Sequence, residues 1–365
     1  MSSIWGNHLK LSVFGESHGK GIGVVLDGLP AGQLIDHDEL LAQMARRAPG
    51  RDSTTTARKE SDFPEILSGL YQNTTTGTPL CAVIRNSDTH SGDYADLNSH
   101  PRPGHADYTG SVRYGGYNDY RGGGHFSGRL TAPLTFAGAI CRQILARRGV
   151  SIGAHLFAVG AVRDAPFDPM GVPDAVLDAL AASPLPTLSP ETGRAMRQEI
   201  ETARLESDSV GGIVECIATG LPTGIGSPMF GGVENRMASI LFGIPAVKGV
   251  EFGDGFGAAA LRGSVNNDAF IYEKDIVRTS TNHHGGILGG ITSGMPLLCR
   301  VAFKPTPSIF KEQQTVDLQT HTEAPLIIHG RHDPCVAVRA VPVVEAASAT
   351  ALLDLFLEAY GYEFR

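Results

Sequence analysis

The chain has 365 residues, 42% hydrophobic and 19% charged, with 38 acidic against 30 basic side chains and a formal net charge of −8. This is the composition of a soluble globular protein, and its acidic balance argues against a nucleic-acid partner. The five cysteines are scattered, odd in number and free of any C-x-x-C pair, which argues against a disulfide framework or a zinc site and leaves buried thiols in a reducing compartment.

The N-terminal segment shows no apolar run with a cleavage site, and no stretch reaches ~18 continuous apolar residues. A cytoplasmic protein without a membrane span is therefore expected. Residues 8–14 (HLKLSVF) read as a strand running into Gly15-Glu16-Ser17-His18-Gly19. Residues 21–28 (GIGVVLDG) read as a second strand, closed by a turn at residues 28–32. Asp36 is placed as the N-cap of a helix, HDELLAQMARR, with Leu40, Leu41 and Met44 on one side, stopping before Pro49-Gly50. Residues 65–86 read as a hairpin around Thr74-Thr75-Thr76-Gly77.

Residues 102–129, RPGHADYTGSVRYGGYNDYRGGGHFSGR, stand apart. Arg102, Arg113, Arg121 and Arg129 alternate with His105 and His125, and glycines fill the gaps. So many glycines disfavour a steady helix or strand, so a long loop is expected. Its arginine forks suit phosphate or carboxylate, a small anion rather than a polyanion in so acidic a chain. A plain solvated loop is the alternative.

Residues 127–148 then read as a helix apolar on most faces, hence buried. Residues 151–162 read as a strand and residues 166–190 as a Pro- and Ala-rich excursion. Ser189-Pro190-Glu191 opens a charged helix to about Leu205, with proline at its first position. The second half echoes the first. GIVECIATGLPTG resembles GIGVVLDGLPAG, SGMPL resembles TGTPL, and Arg339 precedes a long apolar helix as Arg129 does. A single domain over residues 1–365 is expected, with similar halves at about 1–160 and 207–365, an excursion at about 163–206, and two long helices meeting in a shared core.

Residues 15–19 match G-x-S-x-G, but a strand follows where a hydrolase nucleophile elbow requires a helix. A tight turn, or a turn presenting Ser17 and His18 to a ligand, is left. No Rossmann or phosphate-loop pattern is present. His332 and Asp333 lack a third ligand at a sensible spacing, leaving an acid–base Asp333 beside Arg331 or an Asp-Pro turn.

Together these segments resemble the chorismate synthase family. GESHGKGIGVVLDGLPAG, RPGHADYTG, YRGGGHFSGRLTAPLTFAGAI and GRHDPCVAVRAVPVVEA carry the resemblance in order, with AVKGVEFGDGF, NHHGGILGG and KPTPSI between them. The resemblance implies an α+β fold, a β-α-β sandwich with helices between antiparallel sheets, assembled as a homotetramer. It implies an anti-1,4 elimination of phosphate from 5-enolpyruvylshikimate 3-phosphate to give chorismate. Reduced FMN is required and lends a transient electron without net redox change. NADPH is implied as a source of reductant, with a separate flavin reductase as the alternative partner.

By resemblance His18 and His105 are acid–base histidines, one toward the departing phosphate and one toward flavin N1. Asp333 and Ser17 assist proton transfer near flavin N5. Flavin contacts map to His125, Phe126, Ser127, Pro245, Ala246, Gly289, Lys304, Pro305, Thr306, Pro307, Ser308 and Arg331. Arg47 maps to a basic position for NADP or substrate, and Arg129 and Arg339 are candidates for the substrate's anions. The chain departs from the family at His125, where many members carry arginine, and at Ser53, for which Arg51 is the candidate substitute.

Overall fold

The computed structural model describes residues 3–50, 60, 62–87, 97, 99–328 and 332–362. The positions Arg51, Ser53 and Arg331 lie outside the described residues. Short alternating segments build a first antiparallel sheet from β1 (Ile4–Trp5), β2 (Lys10–Gly15), β3 (Gly21–Asp27), β4 (Pro64–Ser68) and β5 (Leu80–Arg85), in the order β1-β2-β3-β5-β4. The register sets Leu11 opposite Leu26, Val24 opposite Ala82, and Ile22 opposite Ile84. Because strand side chains alternate, these buried residues form one inward apolar face.

A second antiparallel sheet comes from β6 (Ser151–Val159), β7 (Val162–Arg163), β8 (Gly212–Thr219), β9 (Val247–Phe252) and β10 (Leu297–Phe303), in the order β9-β10-β8-β6-β7. With the two-residue edge strands β1 and β7 set aside, β2-β3-β5-β4 and β6-β8-β10-β9 both run first, second, fourth, third in chain order. Each half also places a helix after its second strand: α1 (His37–Arg47) in the first, α6 (Val233–Leu241) in the second. A long apolar helix follows each fourth strand: α3 (Thr131–Ala146) and α7 (Ala337–Tyr360).

These two helices pack against each other between the sheets. Nearly every residue of α3, and of α7 up to Leu357, is buried, the signature of a helix apolar all round. α7 is long and apolar enough to cross a membrane by length and composition, yet its whole apolar window is buried inside the protein. Ionic pins cross this core. Glu345 of α7 accepts from Arg46 of α1 at 2.5 and 2.9 Å and from the Ala154 amide at 3.0 Å. Asp354 accepts from the amides of His8 and Leu9 at 2.7 and 2.8 Å, tying the first strands to the last helix.

Several expectations are met. Asp36 caps α1 by accepting from the Asp38 and Glu39 amides, and Ser189 caps α5 (Pro190–Leu205) with Pro190 in its first turn. Others are corrected. The hairpin turns at Gln72 and Asn73, both at positive φ, rather than at residues 74–77. The glycine-rich segment is not an unbroken loop: it forms α2 (Asp107–Tyr114), closed by left-handed Gly115. Helix α3 starts later than residue 127, after a single tight turn, Gly128–Leu130. Arg339 lies inside α7 rather than before it, and Pro342 is internal. The excursion contains a helix, α4 (Asp174–Ala182), whose Leu177 and Leu180 join Phe167 over Ile217 and Leu298 on the outer face of the second sheet.

Candidate active site

A cleft of about 940 Å³ opens where the glycine-rich segment, α1 and α3 meet the segments before β9 and after β10. Its lining includes the apolar side chains of Leu134, Ile240, Ile244, Val247, Phe303 and Val343. It also includes the basic Arg47, Arg102, Arg129, Arg339, Lys248 and Lys304. Drug-sized ligand sites run from ~300 to ~1,000 Å³, so the cleft has room for a flat ring system and an anion together.

At its edge runs Gly122-Gly123-Gly124, at φ 58°, 83° and 52°, of which Gly122 lines the cleft. A Cβ on Gly122 would stand 2.1 Å from the His18 ring and 3.1 Å from Ser17 Oγ. A Cβ on Gly123 would stand 3.1 Å from His105 Nε2. The glycines are therefore needed for space as well as for backbone conformation. Gly122 lines the cleft, whereas its close neighbours His18 and Ser17 are buried and outside the lining. Ser17 Oγ has no hydrogen-bond partner among the described residues.

His105 lines the cleft itself. Its Nδ1 lies 2.7 Å from Asp107 Oδ1. Arg102 donates to Asp107 from its amide, Nε and Nη2 at 2.9, 2.7 and 2.7 Å. Burial favours the neutral acid, but hydrogen bonds from Arg102 and His105 prevail and hold the Asp107 carboxyl well below the usual carboxylate range. Arg102 also donates to Ser308 at 3.1 Å, coupling this group to the loop after β10.

Deeper in, Arg47, Arg129 and Arg339 converge. Buried Asp62 accepts from both Arg47 Nη1 and Arg129 Nη1. Burial opposes its ionisation, yet the charges of Arg47 and Arg129 hold its carboxyl below the usual range. Glu60 lies 2.8 Å from Arg129 Nε. Arg339 donates to Asp333 at 2.7 Å and to the Arg47 carbonyl at 3.1 Å. Burial, with repulsion from Arg339 and Arg129, brings Arg47 down to about 10 against the pull of Asp62. Arg129 Nη2 is buried without a hydrogen-bond partner among the described residues, in a side chain that lines the cleft. A buried unpaired donor is costly, and an entering anion would satisfy it.

The remaining expected residues fall at varied distances from this centre. Phe126, Ser127, Pro245, Ala246, Thr306, Pro307, Ser308 and Asp333 line the cleft. Lys304 lines it too and donates to the Gly104 carbonyl; burial, then the nearby Lys248, lowers its pKa. Pro305 sits between lining residues, beside Gly211. Gly289 lies away from the lining, in the turn joining Ile287–Leu288 to Ile291–Thr292. His125 lines the cleft with both ring nitrogens on protein partners: Nδ1 at 2.8 Å from the Gly15 carbonyl, Nε2 at 2.7 Å from Ser3 Oγ. Sequence reasoning passed over Asp62, Glu60, Asp107 and Lys248. The motif R-P-G-H-A-D could have flagged Asp107, two residues after His105. Nothing local marks Asp62, which meets its arginines only through the fold.

Residues 9–357 match the family profile described as chorismate synthase. Among curated relatives, the chorismate synthase of Thermococcus kodakarensis is 47% identical over 360 residues, covering 98% of each chain. That of Dehalococcoides mccartyi is 46% identical over 359 residues, again 98% of each. A solved structure described as "Crystal Structure of Chorismate Synthase" superposes with a TM-score of 0.75 at 28% identity, over 98% of this chain and 94% of the other.

Proposed function

The chain belongs to the chorismate synthase family, a family of lyases, and from that premise we propose that it converts 5-enolpyruvylshikimate 3-phosphate to chorismate by anti-1,4 elimination of phosphate, with reduced FMN bound in the same cleft. The observation that carries this reading is Arg129 Nη2, buried and unpartnered among the described residues within a cluster of three guanidinium groups. An acidic protein that concentrates buried cations in one cleft is built for a small polyanionic ligand. A substrate with two carboxylates and a phosphate is such a ligand.

The apolar lining side chains and the Lys304, Thr306 and Ser308 loop suit a flavin ring and its phosphate. Reduced FMN supplies, when bound, the electron density that eases loss of phosphate from carbon. The chain's own residues supply orientation and charge. Arg47, Arg129 and Arg339 hold the substrate's anions and stabilise charge as the C–O bond breaks. His105 lines the cleft with Nδ1 held by Asp107, and its Nε2 gives or takes a proton. His18 is the second acid–base group, and Asp333 with Ser17 assists the proton taken from the substrate C–H.

The proposal includes a cytoplasmic homotetramer and NADPH or a separate reductase as the source of electrons. The hairpin of strands Phe270–Glu273 and Ile276–Thr279 supports assembly, since Phe270 is 69% and Tyr272 82% exposed in the single chain. Contiguous apolar exposure of this kind marks interaction surfaces.

The test is anaerobic turnover. Phosphate and chorismate should appear in equal amounts with reduced FMN and not with oxidised FMN. No product with reduced FMN contradicts the lyase assignment. Equal rates with oxidised FMN contradict the flavin's part in it.

A further inference from the structure

The pairing of His105 with Asp107 carries an assignment beyond the family's acid–base histidine. A neutral imidazole has one donor and one acceptor nitrogen, and which is which depends on what each faces. Here Nδ1 faces a carboxylate oxygen 2.7 Å away, while Nε2 lies on the far side of the ring, against Gly123, in a residue that lines the cleft.

Asp107 has little freedom to do anything else. It is buried at the start of α2. Oδ2 accepts from the Arg102 amide and Nε. Oδ1 accepts from Arg102 Nη2 and faces His105 Nδ1, both at 2.7 Å. The guanidinium and the imidazole thus converge on one oxygen, which accounts for the 3.1 Å approach of Arg102 Nη2 to His105 Nδ1. An ionised carboxylate only accepts, so the proton between Asp107 and His105 must sit on Nδ1.

We propose that Asp107, locked by Arg102, is the positioning residue that fixes His105 as the Nδ1–H tautomer, so that Nε2 is the ring nitrogen that exchanges a proton with the ligand in the cleft. This rests on the reading of His105 as an acid–base group. It adds which nitrogen acts and what sets it. The lock is local: Arg102, His105 and Asp107 lie within one turn of chain, and the short side chain of Ser308 braces the far end of the guanidinium.

Asparagine at position 107 meets a conflict. Its oxygen can replace only one of the two carboxylate oxygens, and its amide must face donors of Arg102. With the amide at the Oδ1 position, His105 Nδ1 has to accept and the tautomer inverts. The amide–carboxylate difference is known to cost large factors where a histidine's tautomer matters.

The test uses the full chain with ¹⁵N-labelled histidine at pH ~9, where an ordinary imidazole is neutral. The His105 signals, assigned by their loss in His105→Gln, should show the proton on Nδ1. A proton on Nε2 in the unmodified protein overturns the proposal without any variant having to fold. In Asp107→Asn the proton should move to Nε2, and kcat should fall roughly 10–10³-fold with reduced-FMN affinity retained. A fall in kcat with the tautomer unchanged also overturns it, because Asp107 would then act only on structure. Full turnover in His105→Gln removes His105 from the reaction while leaving the tautomer result standing, so the two ideas fail separately.

Discussion

Gly138 of α3 meets Ala346 of α7 so closely that a Cβ on Gly138 would lie 2.3 Å from the Cα, Cβ and carbonyl oxygen of Ala346. The helices that fill the space between the sheets therefore cross backbone to backbone, and the missing side chain sets their separation. Gly138→Ala should destabilise the protein by about 1–3 kcal/mol through overpacking, despite the gain of up to ~1 kcal/mol in helix propensity. Denaturant titration checks this, with a lowered midpoint at unchanged slope. An unchanged or raised midpoint would show that the crossing has slack.

Gly122 gives a prediction about the site rather than the core. A Cβ there would collide with the His18 ring at 2.1 Å, and φ is 58°. Gly122→Ala should displace His18 and lower turnover by roughly 10–10³-fold while the far-ultraviolet circular dichroism stays that of the parent. Parent-like turnover would show that the position of His18 does not matter to the reaction.

His155 is buried between Glu215 at 3.0 Å and Asp164 at 3.4 Å under the excursion, with Arg300 donating to Glu215 at 2.8 Å. Burial disfavours its charge, but the hydrogen bonds and charges of Asp164 and Glu215 prevail and raise its pKa. A group whose folded pKa is raised stabilises the fold fully below its unfolded value, ~6.5. That stability is lost as pH rises from there through the folded value. The melting temperature should accordingly decline as pH climbs above ~6.5, and part of that decline should vanish in His155→Gln. The variant should itself cost about 3 kcal/mol near neutrality, since it leaves buried Asp164 without a cation and Glu215 with Arg300 alone. An identical pH slope in parent and variant would mean His155 is neutral in the fold.

Arg129 should be the arginine least replaceable by lysine. Its Nε donates to Asn86 beside Glu60 and its Nη1 donates to Asp62, leaving Nη2 for the ligand. Lysine keeps the charge but not the fork. Arg129→Lys should lower kcat/KM roughly 10–100-fold. Substrate affinity unchanged in this variant would remove Arg129 from the anion site.

Much of the fold is legible because local signals and tertiary demand agree. Asp36 and Ser189 cap helices where a capping residue precedes a periodic run, and the all-round apolar pattern of α3 and α7 marks them as core. The matched strand order of the two halves is what we would expect a duplicated unit to leave. The failures are equally physical. Helix α2 survives Gly110 because Phe126 packs where a Cβ would stand, 2.6 Å away. The segment of α4 reads as irregular chain in the sequence because its prolines flank the helix rather than interrupt it.

The site was legible as a set of residue types but not as a set of partners. His125 maps by resemblance to a flavin contact and does line the cleft, yet the fold gives both its ring nitrogens to Gly15 and Ser3. Asp62 gave no local signal, because its role depends on arginines that only the fold brings to it.

The central claim is that the cleft eliminates phosphate with a reduced flavin that is not consumed. The most direct measurement is anaerobic turnover with 5-enolpyruvylshikimate 3-phosphate in large excess over reduced FMN and no other reductant. The account predicts many equivalents of chorismate and phosphate per flavin, with the flavin still reduced at the end. One equivalent of product per flavin, with oxidised FMN accumulating in step, would contradict it.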